Sequence, residues 1–222
     1  LTGERGIPLF VDATASGGWL PIDVQQLGAD LLALAPHRFY GPKGASVLYK
    51  RRRTRVENLI HGGMQENEFR AGTENVAAIV GAGVAAEQVK AALGQAAAHA
   101  AGLQMRLLEG IRKAVEGVHL NGPEPGDGRL PHQLSLSTAG VEGEGQALML
   151  DLRGIAIAAG AACTTRSMRM PPALRAIGCD VDLAKGTTLW GIGRDTTEAE
   201  VDRAVESFSS VTAKLRSMVP AG

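Results

Sequence analysis

Cysteine is scarce in this chain. Cys163 and Cys179 are the two among 222 residues, too few for a disulfide framework, so a reducing compartment and a cytoplasmic setting are the expectation. Net charge is missing as well: 23 Lys and Arg balance 23 Asp and Glu. Without a broad field of one sign, neither nucleic acid nor an anionic membrane surface is expected as a partner. No run of about 18 uncharged apolar residues supplies a membrane helix. The opening Leu1-Thr2-Gly3-Glu4-Arg5-Gly6 lacks the charged start and apolar core of a signal peptide. The two cysteines and five histidines show no close ligand pairing, which argues against a metal site. There is no internal repeat, and no low-complexity segment apart from one alanine-rich stretch.

What remains is enough to fold. With 45% hydrophobic residues, the chain can bury a core as one large domain or two small ones. The one basic run, at residues 50–55, follows an apolar segment and reads as a solvated turn.

Residues 7–11 form a short apolar run ending at Asp12, the pattern of a buried parallel strand with a polar group at its carboxyl end. Ligands of open α/β sheets gather at such ends. Residues 22–27 followed by Gly28 predict a short helix with a glycine cap, residues 30–35 the next strand, and residues 47–49 a third strand, a candidate hairpin partner, after a Gly-Pro-Lys-Gly turn. Residues 74–115 are rich in helix formers, so one long helix, or two joined near Gly94 or Gly102, is expected. Residues 121–129 form a turn-rich loop. Strands at 133–137, 155–159 and 189–192 and helices at 145–152 and 172–177 follow. Thr197 with Glu200 three places on is a capping box that opens a last helix to about Met218. The pattern predicts an α/β protein with a mostly parallel sheet, followed by a smaller α+β lobe.

Three blocks carry chemistry. They are Val11-Asp12-Ala13-Thr14, Ala35-Pro36-His37-Arg38-Phe39-Tyr40-Gly41-Pro42-Lys43-Gly44, and Ala159-Gly160-Ala161-Ala162-Cys163-Thr164-Thr165. Together they resemble the signature blocks of cysteine desulfurases, a class-V aminotransferase-like group that depends on pyridoxal phosphate and includes an iron–sulfur assembly subgroup. His61-Gly62-Gly63-Met64-Gln65-Glu66, Arg70-Ala71-Gly72-Thr73-Glu74-Asn75 and Trp190-Gly191-Ile192-Gly193-Arg194 extend the likeness along nearly the whole chain. It covers the later part of a typical member, so the chain, which begins with Leu1, is expected to be a fragment or a shortened version of something longer.

The resemblance implies an incomplete transferase large domain over residues 1–100, including the start of the connecting helix, and a small C-terminal domain over 101–222 that carries the cysteine loop. It implies that L-cysteine is converted to L-alanine, with a persulfide on Cys163 for sulfur or iron–sulfur transfer. Cys163 and His37 are then the candidate catalytic residues, and Asp12, His37, Arg38 and Thr73 the candidate cofactor contacts. Asp12 would face the pyridine nitrogen, His37 the phosphate, and Thr73 the phosphate of the other subunit in a dimer. Thr73 also reads as an N-cap for the long helix. The expected partners are a second copy or another chain that completes the sheet, and a sulfur-acceptor or iron–sulfur scaffold protein.

Four positions depart from the pattern. Ala15 stands where a Gln is usual, Ala35 where a Ser is, Leu189 where an Arg is, and Arg38 where the imine-forming lysine is. A guanidinium stays charged at neutral pH and offers donors only. Arg38 reads either as an anion contact or as a salt-bridge partner of Asp12. Lys43, although an amine, belongs to the Pro-Lys-Gly turn of the pattern itself. A non-catalytic relic or dimerising scaffold for sulfur handling is therefore the second reading.

Overall fold

The computed structural model describes residues 1–160 and 170–218. The chain divides into two compact units, Leu1–Gly94 and Gln95–Gly222.

The first unit holds a three-stranded sheet, β1 (Phe10–Asp12), β2 (Leu31–Leu34) and β3 (Val47–Lys50), in the order β1-β2-β3. β1 runs parallel to β2 with Val11 opposite Leu32, and β3 runs antiparallel with Tyr49 opposite Leu32. Ala13, Ala29 and Leu32 are buried, with Val11, Ile22, Val24, Leu34 and Tyr49 packed around them. The helix expected at residues 22–27 is a single turn: Asp23 Oδ1 accepts the Gln25 and Gln26 amides, and Gly28 closes it at a φ of 64°. The glycine stop is present, but Asp23 caps the segment so close to it that no helix fits between them.

Helix α1 (Val76–Ala114) is continuous through Gly94 and Gly102. By length and composition alone a stretch of it is apolar enough to cross a bilayer; Glu87 and Lys90 interrupt the apolar residues of its first half, which is why no uncharged run of that length is found there. Its Leu103, Leu107, Leu108 and Ile111 are core residues of the second unit.

The second unit is built on an antiparallel sheet ordered β4-β5-β7-β6. Its strands are β4 (Val118–Leu120), β5 (Gln133–Thr138), β6 (Ala158–Ala159) and β7 (Thr187–Gly191). Alternation puts Leu134, Leu136 and Thr138 on one buried face of β5. Opposite them across the ladder lie Thr188 and Trp190 of β7. The remaining helices are α2 (Gly143–Asp151), α3 (Pro172–Ala176), α4 (Val181–Lys185) and α5 (Glu198–Met218). On α5 the buried residues Val201, Ala204, Phe208 and Val211 recur at helical spacing. The Phe208 ring meets Trp190 edge to face at 5.4 Å. β4 and α4 were not anticipated, and the strand expected at 155–159 pairs only through its last two residues.

Candidate functional site

Asp12 ends β1, and Ala13 carries the ladder one bond further by donating its amide to Ala33 O at 3.0 Å. The Asp12 side chain is exposed and turns back on its own backbone, with Oδ1 accepting the Thr14 amide at 2.9 Å. The Thr14 amide and then the Thr14 side chain hold the carboxyl below its ordinary range, and the nearby Arg38 charge adds to this. The carboxylate is thus ionised at neutral pH. Thr14 was missed as its partner, although an Asp two residues before a small polar residue is an Asx-turn signal.

Arg38 comes from the turn that follows β2. Pro36–Arg38 form one turn of 3₁₀ helix. The Arg38 amide donates to Ala35 O, and both the Phe39 and Gly41 amides donate to Pro36 O, each at 2.9 Å. Ala35, Pro36 and Phe39 are buried, whereas His37 and Arg38 face solvent. Two glycines make room for the side chains packed here: a β-carbon on Gly18 would stand 2.6 Å from Phe39 Cβ, and one on Gly17 would stand 2.9 Å from Leu34 Cδ2. Tyr40 turns the chain at a φ of 70°, an unusual conformation for a side chain of this size. The structure therefore brings Asp12 and Arg38 into one electrostatic neighbourhood at the end of the sheet. The salt bridge between them does not close: no Asp12–Arg38 ion pair is present among the described residues.

Thr73 is exposed in the loop before α1 and does not cap the helix. Asn75 does so instead, its Oδ1 accepting the Ala78 amide at 3.2 Å. The helix begins two residues later than the sequence suggested, which moves the cap with it.

In the second unit, Leu189 sits on β7 between Ser135 and Ala158 and is 39% exposed. Arg194 forms an ion pair with Asp195. Cys163 lies outside the described residues. The chain leading to it is held where the Gly160 amide donates to Thr187 O at 2.7 Å. Cys179 is half-buried, and its thiol donates to Asp180 O at 3.5 Å. Among the described residues no group of three or more His, Cys, Asp and Glu side chains could hold a metal ion.

Comparison with known proteins gives this arrangement a context. Residues 1–204 match the aminotransferase class-V family. A cysteine desulfurase IscS of Vibrio campbellii is 43% identical over 222 residues, which are 99% of this chain and 54% of that protein. A mitochondrial cysteine desulfurase of Arabidopsis thaliana is 41% identical, over 98% of this chain and 48% of its own length. Among solved structures, a NifS-like protein superposes with a TM-score of 0.85 at 30% identity, over 95% of this chain and 54% of the other. The chain thus spans about half the length of the curated relatives it matches.

Proposed function

The chain belongs to the class-V aminotransferase family, and from that premise we propose that it is a cysteine desulfurase-type protein whose sulfur chemistry runs through Cys163 and whose own turnover is impaired. The observation that carries the proposal is Arg38, exposed on the 35–41 turn beside an ionised Asp12, where the reaction of its relatives calls for an amine.

In the full reaction the Cys163 thiol takes the sulfur atom of L-cysteine. The carbon–sulfur bond breaks with its electron pair left on carbon, a sulfur–sulfur bond forms, and the proton given up by the Cys163 thiol completes the methyl group, so that L-cysteine and a thiol become L-alanine and a persulfide. The nucleophile in such a step is a thiolate. The family depends on pyridoxal phosphate, which supplies the electron sink for bond cleavage. The donor set at the turn does not fit covalent attachment of that group, because a guanidinium cannot serve as the amine. Asp12 keeps a fixed negative charge at the sheet end, and His37 and Arg38 offer donors to an anion. Thr73 belongs to the same reading as a contact reached from a second subunit.

The relatives that support this reading are named cysteine desulfurases. The proposed partners are L-cysteine, a sulfur-acceptor or iron–sulfur scaffold protein, and either a second copy or another chain against the three-stranded sheet, with a cytoplasmic setting. A non-catalytic scaffold that keeps Cys163 for sulfur handling is the second reading, and Leu189 favours it, since an apolar side chain cannot pair a substrate carboxylate.

One experiment separates the two. The purified protein is given pyridoxal phosphate and L-cysteine, alanine is quantified, and Cys163 is mapped for persulfide by alkylation and mass spectrometry. Slow alanine formation with a Cys163 persulfide supports the impaired desulfurase. A Cys163 that takes up sulfur from a small persulfide donor without alanine formation supports the scaffold, and a Cys163 inert in both assays overturns both.

A further inference from the structure

Most of the frame around residue 38 does not depend on residue 38. The turn is closed by three backbone hydrogen bonds, from Arg38 to Ala35 and from Phe39 and Gly41 to Pro36. It is anchored by the buried rings of Pro36 and Phe39. Its far side is fixed by close approach: a β-carbon on Gly41 would stand 2.9 Å from Pro36 Cβ, and one on Gly81 of α1 would stand 2.9 Å from Pro42 Cγ. The Arg38 side chain is exposed. It acts on Asp12 through its charge, and Asp12 is held mainly by Thr14.

We infer that this chain has lost covalent capture of an aldehyde cofactor through the single residue Arg38, on a turn whose frame remains competent for it. The inference rests on the family reading above, and it concerns attachment, not turnover. An aldehyde such as pyridoxal phosphate condenses with a deprotonated primary amine, losing water as the C=N bond forms, and a guanidinium does not supply that amine. Lys43 is the one other basic side chain of residues 38–44. It follows Pro42, which is packed against Gly81, so the segment that carries it is not free to swing into the place of residue 38. Lysine at position 38 keeps a positive charge near Asp12 in its protonated form and adds an amine that can lose its proton.

The test uses pyridoxal phosphate itself. Wild-type protein, Arg38→Lys and Arg38→Gln are each incubated with it and reduced with borohydride, and pyridoxyl-lysine is mapped by mass spectrometry, with exposed Lys90 and Lys113 as the background for casual labelling. Residues 35–44 of the wild type and of Arg38→Gln are expected to show no label above that background. Arg38→Lys is expected to gain label at position 38 at least tenfold above it, with a melting temperature equal to that of the wild type. Label on Lys43 of the wild type above background overturns the inference. So does an Arg38→Lys protein that melts as the wild type does but stays unlabelled at position 38, and so does a melting temperature lowered by this exposed substitution, because then the frame does depend on Arg38. Alanine formation plays no part in the readout, so failure of the desulfurase reading and failure of this inference are distinguishable.

Discussion

The carbonyl of Thr187 on β7 accepts the Gly160 amide at 2.7 Å, which fixes the last described residue before the segment that bears Cys163. The same oxygen lies against the start of α2, where a β-carbon on Gly143 would stand only 2.2 Å away. That contact is with backbone in a paired strand, so neither side can move cheaply. Gly143→Ala is therefore expected to destabilise the protein by about 1–3 kcal/mol despite the better helix propensity of alanine. A lowered urea midpoint at unchanged slope is the check. Gly102 in α1 has nothing within 4 Å of its missing β-carbon. Gly102→Ala is expected to stabilise by up to about 1 kcal/mol.

A cluster of one guanidinium and two carboxylates joins α1 and α5. Arg106 grips Asp202 with two prongs, Nε to Oδ1 at 2.7 Å and Nη2 to Oδ2 at 2.8 Å, and reaches Glu198 with Nη1 at 2.9 Å. The Arg106 hydrogen bond holds the Asp202 carboxyl below its ordinary value of 3.8. A carboxyl depressed in the folded state contributes stability that is present above its unfolded value and lost as pH falls through the folded one. Below pH 3.8 the wild type should therefore lose stability more steeply than Asp202→Asn. At neutral pH Asp202→Asn should be the less stable of the two by that same amount, which is small because the pair is solvent-exposed. Thermal melts from pH 6 down to pH 2.5 read this directly.

The last helix tests how well local sequence signals translate into structure. The Thr197 amide donates to Glu200 Oε2 at 2.8 Å and the Glu200 amide to Thr197 Oγ1 at 3.3 Å, the reciprocal box that the Thr-x-x-Glu spacing announces. Thr197→Ala is expected to cost about 1 kcal/mol in chemical denaturation. Thr197→Ser, which keeps the hydroxyl, should cost far less.

Signals contained within a few residues were legible, and signals that depend on a distant partner were not. The Thr197–Glu200 box, the alternation of β5 and the helical spacing of α1 each state their structure locally. The strand at 155–159 looked complete by composition, yet only Ala158 and Ala159 find β7 opposite them, and pairing is decided by the other strand. Thr73 looked like a cap because a hydroxyl precedes a helical run, but Asn75 is nearer the first helical turn and takes the role. The site was legible as a set of residue types in blocks. The packing of the frame that presents His37 and Arg38 was not, because its closest approaches come from distant glycines, Gly18 against Phe39, Gly17 against Leu34 and Gly81 against Pro42.

That difference between frame and chemistry governs the outcome expected of repair. Arg38→Lys restores an amine at one position, but Leu189 on β7 remains an apolar side chain, flanked by Ser135 and Ala158 with no cation among these neighbours. On the proposed reading a substrate carboxylate brought against this side chain gains no charged partner, and each 1.4 kcal/mol withheld from the transition state is a tenfold loss of rate. Arg38→Lys alone is therefore expected to form no more alanine from L-cysteine than the wild type does. Adding Leu189→Arg should raise alanine formation above that of either single variant. The assay is alanine released over time at saturating L-cysteine with pyridoxal phosphate present. Substantial desulfurase turnover in Arg38→Lys alone would show that Leu189 does not limit the reaction.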